Sequence, residues 1–253
     1  MDLAIAGRTA LVTGASAGIG VGIATCLARE GVRLALAGRN AKALEDVGRK
    51  VKALGAPEPV LVTGDLATEA GVADVARAAS GAFGGRIDIL INNAGGSRPL
   101  KGAESDAFWQ ESYDLNFMAA RRLTGLLSPA MQAAEWGRIV NITGAIFGRA
   151  INAAGPAKAA LLTWSRALAF ELAPHSITVN CVAPGRINSV QILEKLHPTE
   201  ESRAEYIRQN IPAGRFGEPE ELGNLVAFLA SPLAGYISGA HIPVDGGGVR
   251  LAP

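Results

Sequence analysis

Residues 13–20 read TGASAGIG, and they lie between an apolar run at residues 9–12 and a segment with a helical pattern. A glycine-rich turn between strand and helix can seat a phosphate, because the first N–H groups of the helix lack partners and its dipole favours an anion. Gly14 permits the tight turn, Gly18 lets the backbone approach a pyrophosphate, and Gly20 lets helix pack closely on strand. The placement predicts a dinucleotide site; a flexible loop is the simpler interpretation of the glycines alone.

Short apolar runs alternate with helical patterns along almost the whole chain, and such runs suit strands buried on both faces of a parallel sheet. The alternation predicts an α/β fold, a single Rossmann-type doubly wound parallel sheet with helices on both faces. The candidate strands are residues 9–12, 33–37, 59–63, 87–91, 138–142, 177–182 and 241–244. The candidate helices are residues 18–30, 41–54, 68–83, 106–134, 156–172 and 218–230.

No repeat or linker divides the chain, so we expect one domain over residues 1–253. Only residues 186–215 depart from the alternation; they are rich in charge, and we interpret them as a helical insertion over a cleft. Residues 222–244 carry no charged side chain, but Asn224 and Pro232, among others, interrupt them, so a helix, a loop and a strand are expected rather than a membrane span.

Composition excludes several classes of partner. The formal charge of +1, from 24 basic and 23 acidic residues, indicates neither a nucleic-acid footprint nor a basic membrane patch. Cys26 and Cys181 lie in apolar segments and are interpreted as buried free thiols. We therefore expect a soluble, cytoplasmic protein, and we assign it no metal.

The end of the second predicted strand bears on the choice of cofactor. An acidic residue here would bind an adenine ribose 2′-OH, whereas a 2′-phosphate would be repelled by a carboxylate and would favour an arginine. The chain has Gly38, Arg39 and Asn40 at this point and no acid. NADP(H) is therefore the preferred cofactor and NAD(H) the alternative, while an exposed arginine after a strand is the simpler interpretation of Arg39.

Further motifs follow the predicted strands in order. They are Asp65-Leu66, Asn92-Asn93-Ala94-Gly95, Asn116 in YDLNFMAA, Lys158 in the next helix, Pro184-Gly185 and Val244-Asp245-Gly246-Gly247. Together with TGASAGIG they resemble the short-chain dehydrogenase/reductase family over nearly the whole chain. The combination of TGxxxGIG with NNAG is specific.

The resemblance implies where the cofactor lies. Asp65 and Leu66 would flank the adenine, and residues 93–95 would line its ribose. Ile187 and Ser189 would hold the nicotinamide carboxamide, and Lys158 would contact the nicotinamide ribose. The predicted cofactor-binding set is Gly14, Ser16, Ala17, Gly18, Ile19, Gly20, Arg39, Asn40, Asp65, Leu66, Asn93, Ala94, Gly95, Lys158, Pro184, Gly185, Ile187 and Ser189.

The resemblance also implies the chemistry, which is hydride transfer between a nicotinamide and a carbinol carbon. A Tyr exchanges the proton, a Lys lowers the pKa of that Tyr, a Ser steadies the substrate oxygen, and an Asn holds a water. Asn116 and Lys158 match this pattern, but Gly144 stands at the Ser position and Ala154 at the Tyr position. The segment from Gly144 to Lys158 is also shorter than the family spacing.

Pro156 is where we expect the helix before Lys158 to begin, because Pro is favoured at the first helical position and disfavours the α region for Gly155. Position 154 would then lie at or before the cap, and not one turn from Lys158 on the same face. A missing general acid typically costs about 10²–10⁴ in rate. A standard carbonyl reductase should therefore not work well with this site.

Three hypotheses stay open. The leading one is an NADP(H)-dependent oxidoreductase that interconverts a small carbonyl compound and its alcohol, with Asn116, Thr143 and Lys158 as the candidate catalytic residues. Thr143 has the best position for a displaced acid, at the end of the fifth strand, although a Thr that closes a strand is the simpler interpretation. The other candidate acids are Asn152, Ser189, a water on Lys158, and Tyr206.

The second hypothesis is a non-catalytic NADP(H)-binding sensor or partner subunit. The third is a different chemistry that needs no Tyr. Arg98, Arg149 and Arg186 fall on loops at the predicted cleft mouth and jointly suggest an anionic small-molecule substrate, although each singly is more simply a solvated arginine.

The predicted helices at residues 106–134 and 156–172 carry more apolar residues than one sheet-facing side needs, among them Trp109, Trp164 and Phe170. The family resemblance implies a homotetramer built through these helices and the C-terminal segment. We predict a homotetramer or a homodimer.

Overall fold

The computed structural model describes residues 2–100, 102–144, 151–189 and 191–248. Within these ranges seven strands form one parallel sheet in the order β3-β2-β1-β4-β5-β6-β7, with helices on both faces, which confirms the predicted doubly wound α/β fold. The strands are β1 (Thr9–Thr13), β2 (Arg33–Gly38), β3 (Val60–Thr63), β4 (Ile89–Asn92), β5 (Gly137–Ile142), β6 (Ile177–Pro184) and β7 (His241–Val244).

The helices alternate with these strands as predicted. They are α1 (Ile19–Arg29), α2 (Ala41–Ala53), α3 (Glu69–Gly81), α4 (Asp106–Tyr113), α5 (Ala119–Ala133), α6 (Ala154–Leu172), α7 (Glu200–Asn210) and α8 (Pro219–Leu229). Two π-helical segments (Asp114–Met118 and Gln191–Leu196) and two 3₁₀ turns (Ala173–His175 and Pro232–Ala234) complete the described helical structure.

The core consists of two apolar layers, one on each face of the sheet. Every residue of β1, β4 and β5 is buried, as the continuous apolar runs of a parallel sheet require. Helices α1 and α8 pack together over one face, and a Cβ on Gly22 would lie only 2.3 Å from the carbonyl carbon of Pro219. Cys26 and Cys181 are buried and unbridged, as predicted.

The strand order places the site. β1 lies between β2 and β4, so the chain leaves β1 towards one edge and returns to β4 on its other side. In open parallel sheets, ligands bind in the crevice at the carboxyl ends of the strands where the order reverses. The ends of β1 and β4 therefore define the crevice.

The predicted start of α6 is wrong by two residues, because the helix begins at Ala154 and not at Pro156. Pro156 costs no hydrogen bond as the third helical residue, since the first four N–H groups of a helix have no intrahelical acceptor. Gly155 has no Cβ to clash with the proline ring, so it enters the helix. Ala154 thus lies one helical turn before Lys158 on the same face.

The predicted helix over residues 106–134 is interrupted. Five residues, Asp114–Met118, form a π-helical segment between α4 and α5, in which Ala119 N–H donates to the carbonyl of Asp114. The Asn116 side chain donates to the carbonyl of Ser112 at 3.0 Å and so competes with the α-helical pattern at this point. Such insertions occur frequently at functional sites.

Residues 186–215 contain a π-helical segment and α7, so this stretch is partly helical; that it forms an insertion over the cleft stays a prediction. Residues 222–244 contain the end of α8, a 3₁₀ turn and β7, as predicted. Among the described residues, no helix combines the length and the apolar character that crossing a bilayer requires.

Candidate active site

The glycine loop after β1 forms a concave backbone cradle. Gly14 and Gly18 have φ values of +62° and +54°, which L side chains rarely adopt. A Cβ on Gly20 would lie 2.2 Å from the carbonyl oxygen of Gly14. No side chain caps the N-terminus of α1, so its first N–H groups remain available to an anion. The cradle therefore fits the diphosphate of a dinucleotide.

Thr13, which the sequence interpretation missed, holds this cradle. Its hydroxyl accepts hydrogen bonds from the N–H groups of Asn93 (3.0 Å) and Ala94 (2.9 Å) and donates to the carbonyl of Ile91 at 3.1 Å. The Asn93 amide donates in turn to the carbonyls of Thr13 (2.9 Å) and Gly14 (3.1 Å). These bonds tie the end of β4 to the end of β1. A threonine immediately before a glycine loop is the signal that could have found it.

The residues predicted around the adenosine lie at the ends of β2 and β3. Arg39 is exposed and forms no ion pair within the described ranges. Asn40 accepts a hydrogen bond from the N–H of Ala43 and so caps α2. The Asp65 carboxylate accepts from the N–H of Ala67 at 3.1 Å, and Leu66 is buried. Arg39 is thus available for a phosphate at this end.

The loop after β6 lies over the glycine loop. A Cβ on Gly18 would lie 3.1 Å from the Cβ of Ser189, so the structure brings together these two predicted cofactor-binding positions. Gly185 N–H donates to the carbonyl of Val244 at 2.9 Å, which holds the start of the loop against β7. The remaining predicted members of this side, Ser16, Ala17, Ile19, Pro184 and Ile187, lie in the same two loops or at their ends.

Lys158 and Asn116 converge on Gly95. A Cβ on Gly95 would lie 2.8 Å from Asn116 Oδ1 and 2.9 Å from Lys158 Nζ, so a larger residue here would displace at least one of these two groups. Asn116 Oδ1 accepts from the N–H of Gly96, and Lys158 Nζ donates to the carbonyl of Ile142 at 2.7 Å. Burial lowers the pKa of the Lys158 ammonium to about 8. The site therefore contains a buried ammonium group that releases its proton more readily than an exposed lysine does.

The candidate replacement acids are occupied by protein partners. The Thr143 hydroxyl contacts the carbonyl of Val182 (3.2 Å) and Nε2 of His241 (3.1 Å). Asn152 accepts from the N–H groups of Arg98 and Ala154, and its amide donates to Ser97.

Two other candidates are also engaged. Ser189 Oγ accepts from the N–H of Ile192 at 3.3 Å. The Tyr206 ring packs against His197 with a centroid separation of 4.6 Å. None of the observed ring contacts of Tyr206 involves Lys158, so its predicted movement into the site stays a prediction.

The three arginines of the predicted cleft mouth differ in their surroundings. Arg98 forms an ion pair with Glu111, so its charge is already compensated. Arg149 lies outside the described residues. Arg186 lies over the ring of Tyr206, with its guanidinium carbon 4.7 Å from the ring centroid. Of the two arginines that the structure describes here, Arg186 forms no ion pair with a described carboxylate.

Comparisons with known proteins show which proteins this chain is similar to. Residues 14–248 match a family model described as enoyl-(acyl carrier protein) reductase. The chain is 37% identical to a rhamnolipids biosynthesis 3-oxoacyl-[acyl-carrier-protein] reductase of Pseudomonas aeruginosa, over 96% of each chain.

Two solved structures are similar over almost their full length. L-sorbose reductase from Gluconobacter frateurii, in complex with NADPH and L-sorbose, has a TM-score of 0.93 at 32% identity and covers 100% of both chains. A 7α-hydroxysteroid dehydrogenase complexed with NADH and 7-oxo glycochenodeoxycholic acid has a TM-score of 0.89 at 33% identity, with 98% of this chain and 97% of that one covered.

Proposed function

Because the chain belongs to the short-chain dehydrogenase/reductase family, we propose that it is an NADP(H)-dependent oxidoreductase that interconverts a small carbonyl compound and its alcohol. The observation that carries this proposal is the convergence of Lys158 and Asn116 on Gly95, one strand away from the glycine cradle. The two predicted proton-handling residues and the predicted phosphate seat thus share one sheet edge.

NADP(H), when bound, supplies or accepts the hydride. The cradle of Gly14, Gly18 and Gly20 would hold its diphosphate, and Arg39 would bind the 2′-phosphate that distinguishes it from NAD(H). The complex of L-sorbose reductase with NADPH supports this preference. The complex of the hydroxysteroid dehydrogenase with NADH keeps NAD(H) as the alternative.

The proton route is the atypical part of the proposal. With Gly144 and Ala154 at the usual Ser and Tyr positions, no hydroxyl stands one turn before Lys158. We assign proton delivery to a water that Lys158 holds beside the substrate oxygen, with Asn116 fixing the neighbouring backbone. With a pKa of about 8, the ammonium is largely protonated at neutral pH and can restore the proton that the water gives to the substrate. Thr143 is a weaker candidate because its hydroxyl is already hydrogen-bonded.

A non-catalytic NADP(H)-binding protein is the second candidate. One observation favours it: among the described residues, Lys158 Nζ donates its only assigned hydrogen bond to a backbone carbonyl and none to a side-chain hydroxyl. A lysine in this position can hold a ribose without any proton transfer.

The two candidates differ in turnover. Both should change NADPH fluorescence on binding, but only the oxidoreductase should oxidise NADPH in the presence of ketones, aldehydes or keto acids. Tight NADPH binding with no oxidation across a broad panel would favour the second candidate.

We also propose that the chain forms a homotetramer or homodimer. Phe170 on α6 is 88% exposed and Leu126 on α5 is 53% exposed, so both helices of the predicted interface present large apolar side chains to solvent. Light scattering at micromolar concentration should report a multiple of the 26.0 kDa chain mass.

A further inference from the structure

Arg186 is a cation without an acidic partner at the start of the loop that covers the glycine cradle. Its Nε is buried and has no hydrogen-bond partner, and no described carboxylate forms an ion pair with it. A guanidinium carries five N–H donors in a planar fork, and buried donors are normally satisfied. The unsatisfied Nε therefore points to an acceptor that the described part of the chain does not provide.

An aromatic platform fixes the direction of this guanidinium. Arg186 stacks on Tyr206, and the Tyr206 ring in turn packs against His197 (4.6 Å) and Phe216 (6.2 Å between centroids). His197 is anchored by a hydrogen bond from its N–H to the carbonyl of Ile192 at 2.8 Å. Stacking keeps the planar fork in one orientation, so little side-chain freedom is lost when it binds a carboxylate or phosphate.

The charges around the platform favour an anion. Burial lowers the pKa of His197, and the charges of Arg186 and Arg203 beside it lower that pKa further. The nearby carboxylate of Glu221 is already bound by Arg215 through two hydrogen bonds of 2.6 and 2.7 Å.

The position of Arg186 connects it with the cleft. Its carbonyl accepts from the N–H of Gly217 at 2.9 Å, which pins the loop at its base. Three residues later, the Cβ of Ser189 lies 3.1 Å from the position that a Cβ on Gly18 would take, next to the glycine loop. The arginine thus begins the segment that the family resemblance assigns to the nicotinamide end of the cofactor.

We propose that Arg186, held on the Tyr206 ring, binds an oxyanion of the substrate, so that the preferred substrates are carbonyl compounds or alcohols that carry a carboxylate or phosphate group. This inference rests on the proposed oxidoreductase function and names the substrate class of that site. The paired Arg98 is not part of it.

The test compares charged and neutral probes of the same shape. Calorimetry with saturating NADP⁺ would measure the binding of pyruvate against methyl pyruvate, and of dihydroxyacetone phosphate against dihydroxyacetone. We expect at least one anionic probe to bind about 10- to 100-fold more tightly than its neutral counterpart, as charge-assisted bidentate hydrogen bonds typically provide. The carboxylate pair and the phosphate pair distinguish the two sources of the oxyanion.

Three variants locate the effect. Arg186→Gln should abolish the preference, Arg186→Lys should retain only part of it, and Arg208→Gln, which changes an exposed arginine of α7 paired with Glu205, should leave it unchanged. A circular dichroism melt that matches the wild type shows that each variant is folded. Equal binding of charged and neutral probes by the wild type, or an undiminished preference in Arg186→Gln, overturns the proposal.

Failure of the proposed function gives a different result. If NADP⁺ does not bind but an Arg186-dependent preference persists without it, the oxyanion site stands and the oxidoreductase proposal falls. If NADPH reduces neutral ketones and no oxyanion preference is found, the oxidoreductase stands and the Arg186 site falls.

Discussion

Lys158 Nζ lies 2.7 Å from the carbonyl oxygen of Ile142, so a charge-assisted hydrogen bond ties the second turn of α6 to the last residue of β5. The lysine side chain is 9% exposed, and burial lowers its pKa to about 8. This contact holds the ammonium at the sheet edge before any ligand binds. It also makes Lys158 a measurable source of pH-dependent stability.

The stability contribution of Lys158 should rise with pH between about 8 and 10.5. Its folded-state pKa of about 8 is below the unfolded value of 10.5, so in this window the unfolded chain binds one more proton than the folded protein. The free energy of unfolding therefore increases as the pH rises. Below pH 8 the cost of burying the charge is fully present. Urea unfolding at pH 7 and pH 10 measures the free energy of unfolding of the wild type and of Lys158→Met. Between the two pH values, this free energy should fall for the variant relative to the wild type by on the order of 1–3 kcal/mol.

The control for this experiment is Lys42→Met, which changes an exposed lysine of α2. The difference in free energy of unfolding between Lys42→Met and the wild type should not vary with pH over the same range. A pH-independent difference for Lys158→Met would show that the ammonium is not desolvated as described.

Ala154→Tyr should raise NADPH-dependent reductase activity. Because α6 begins at Ala154, a tyrosine there lies one turn before Lys158 on the same helical face, and its phenol could take over proton transfer. We expect a gain of at least about tenfold in kcat, which is below the full 10²–10⁴ that a well-positioned general acid supplies, and a further gain with Gly144→Ser. Ala154→Phe is the matched control without the hydroxyl. Equal rates for the Tyr and Phe variants would contradict the prediction.

Thr13→Val should destabilise the fold and weaken NADPH binding together. The substitution keeps the shape of the side chain but leaves the N–H groups of Asn93 and Ala94 without their acceptor. Each unsatisfied buried donor costs about 1–3 kcal/mol. Thr13→Ser retains the hydroxyl and should stay close to the wild type in urea unfolding and in NADPH titration. A Val variant as stable as the Ser variant would be inconsistent with the assigned bonds.

Gly20→Ala and Gly125→Ala should change stability in opposite directions. An added Cβ at Gly20 would lie 2.2 Å from a backbone oxygen, whereas at Gly125 on the exposed side of α5 it meets nothing within 4 Å. Alanine is favoured over glycine in a helix by about 0.5–1 kcal/mol, so Gly125→Ala should stabilise by that amount. Gly20→Ala should instead lower both the unfolding free energy and NADPH affinity. Chemical unfolding of both variants in parallel tests this, and a neutral Gly20→Ala would refute the tight cradle.

The sequence predicts the sheet well because a parallel sheet buries each strand on both faces. Runs such as residues 138–142 have no polar alternation, and the observed strands agree with the predicted ones within two residues at each end. The family resemblance likewise follows from short motifs at strand ends, where local sequence and position in the sheet coincide.

The two errors in the helix predictions, at the start of α6 and at the π-helical segment, arise where a neighbouring residue changes the local backbone preference. The proline rules at Pro156 assume a side chain on the preceding residue, and Gly155 has none, so the helix starts earlier than predicted. The π-helical segment depends on the competition of the Asn116 amide for the carbonyl of Ser112. That competition is a matter of geometry, and the helical pattern does not reveal it.

The structure also assembles contacts between residues far apart in sequence. The hydroxyl of Thr143 meets His241, which is 98 residues later, and Arg186 meets Tyr206 across the insertion. Periodicity and motif spacing carry no information about such pairs. The sequence therefore identifies the cofactor edge of the site more completely than its substrate side.

Calorimetric titration of the wild-type protein with NADPH and with NADP⁺ tests the central claim most directly. We predict saturable binding of both forms, with NADH binding about 10- to 100-fold more weakly and that difference lost in Arg39→Ala, as expected for a single charge-assisted phosphate contact. The absence of binding heat with NADPH and NADP⁺ across a range of temperatures would contradict the account.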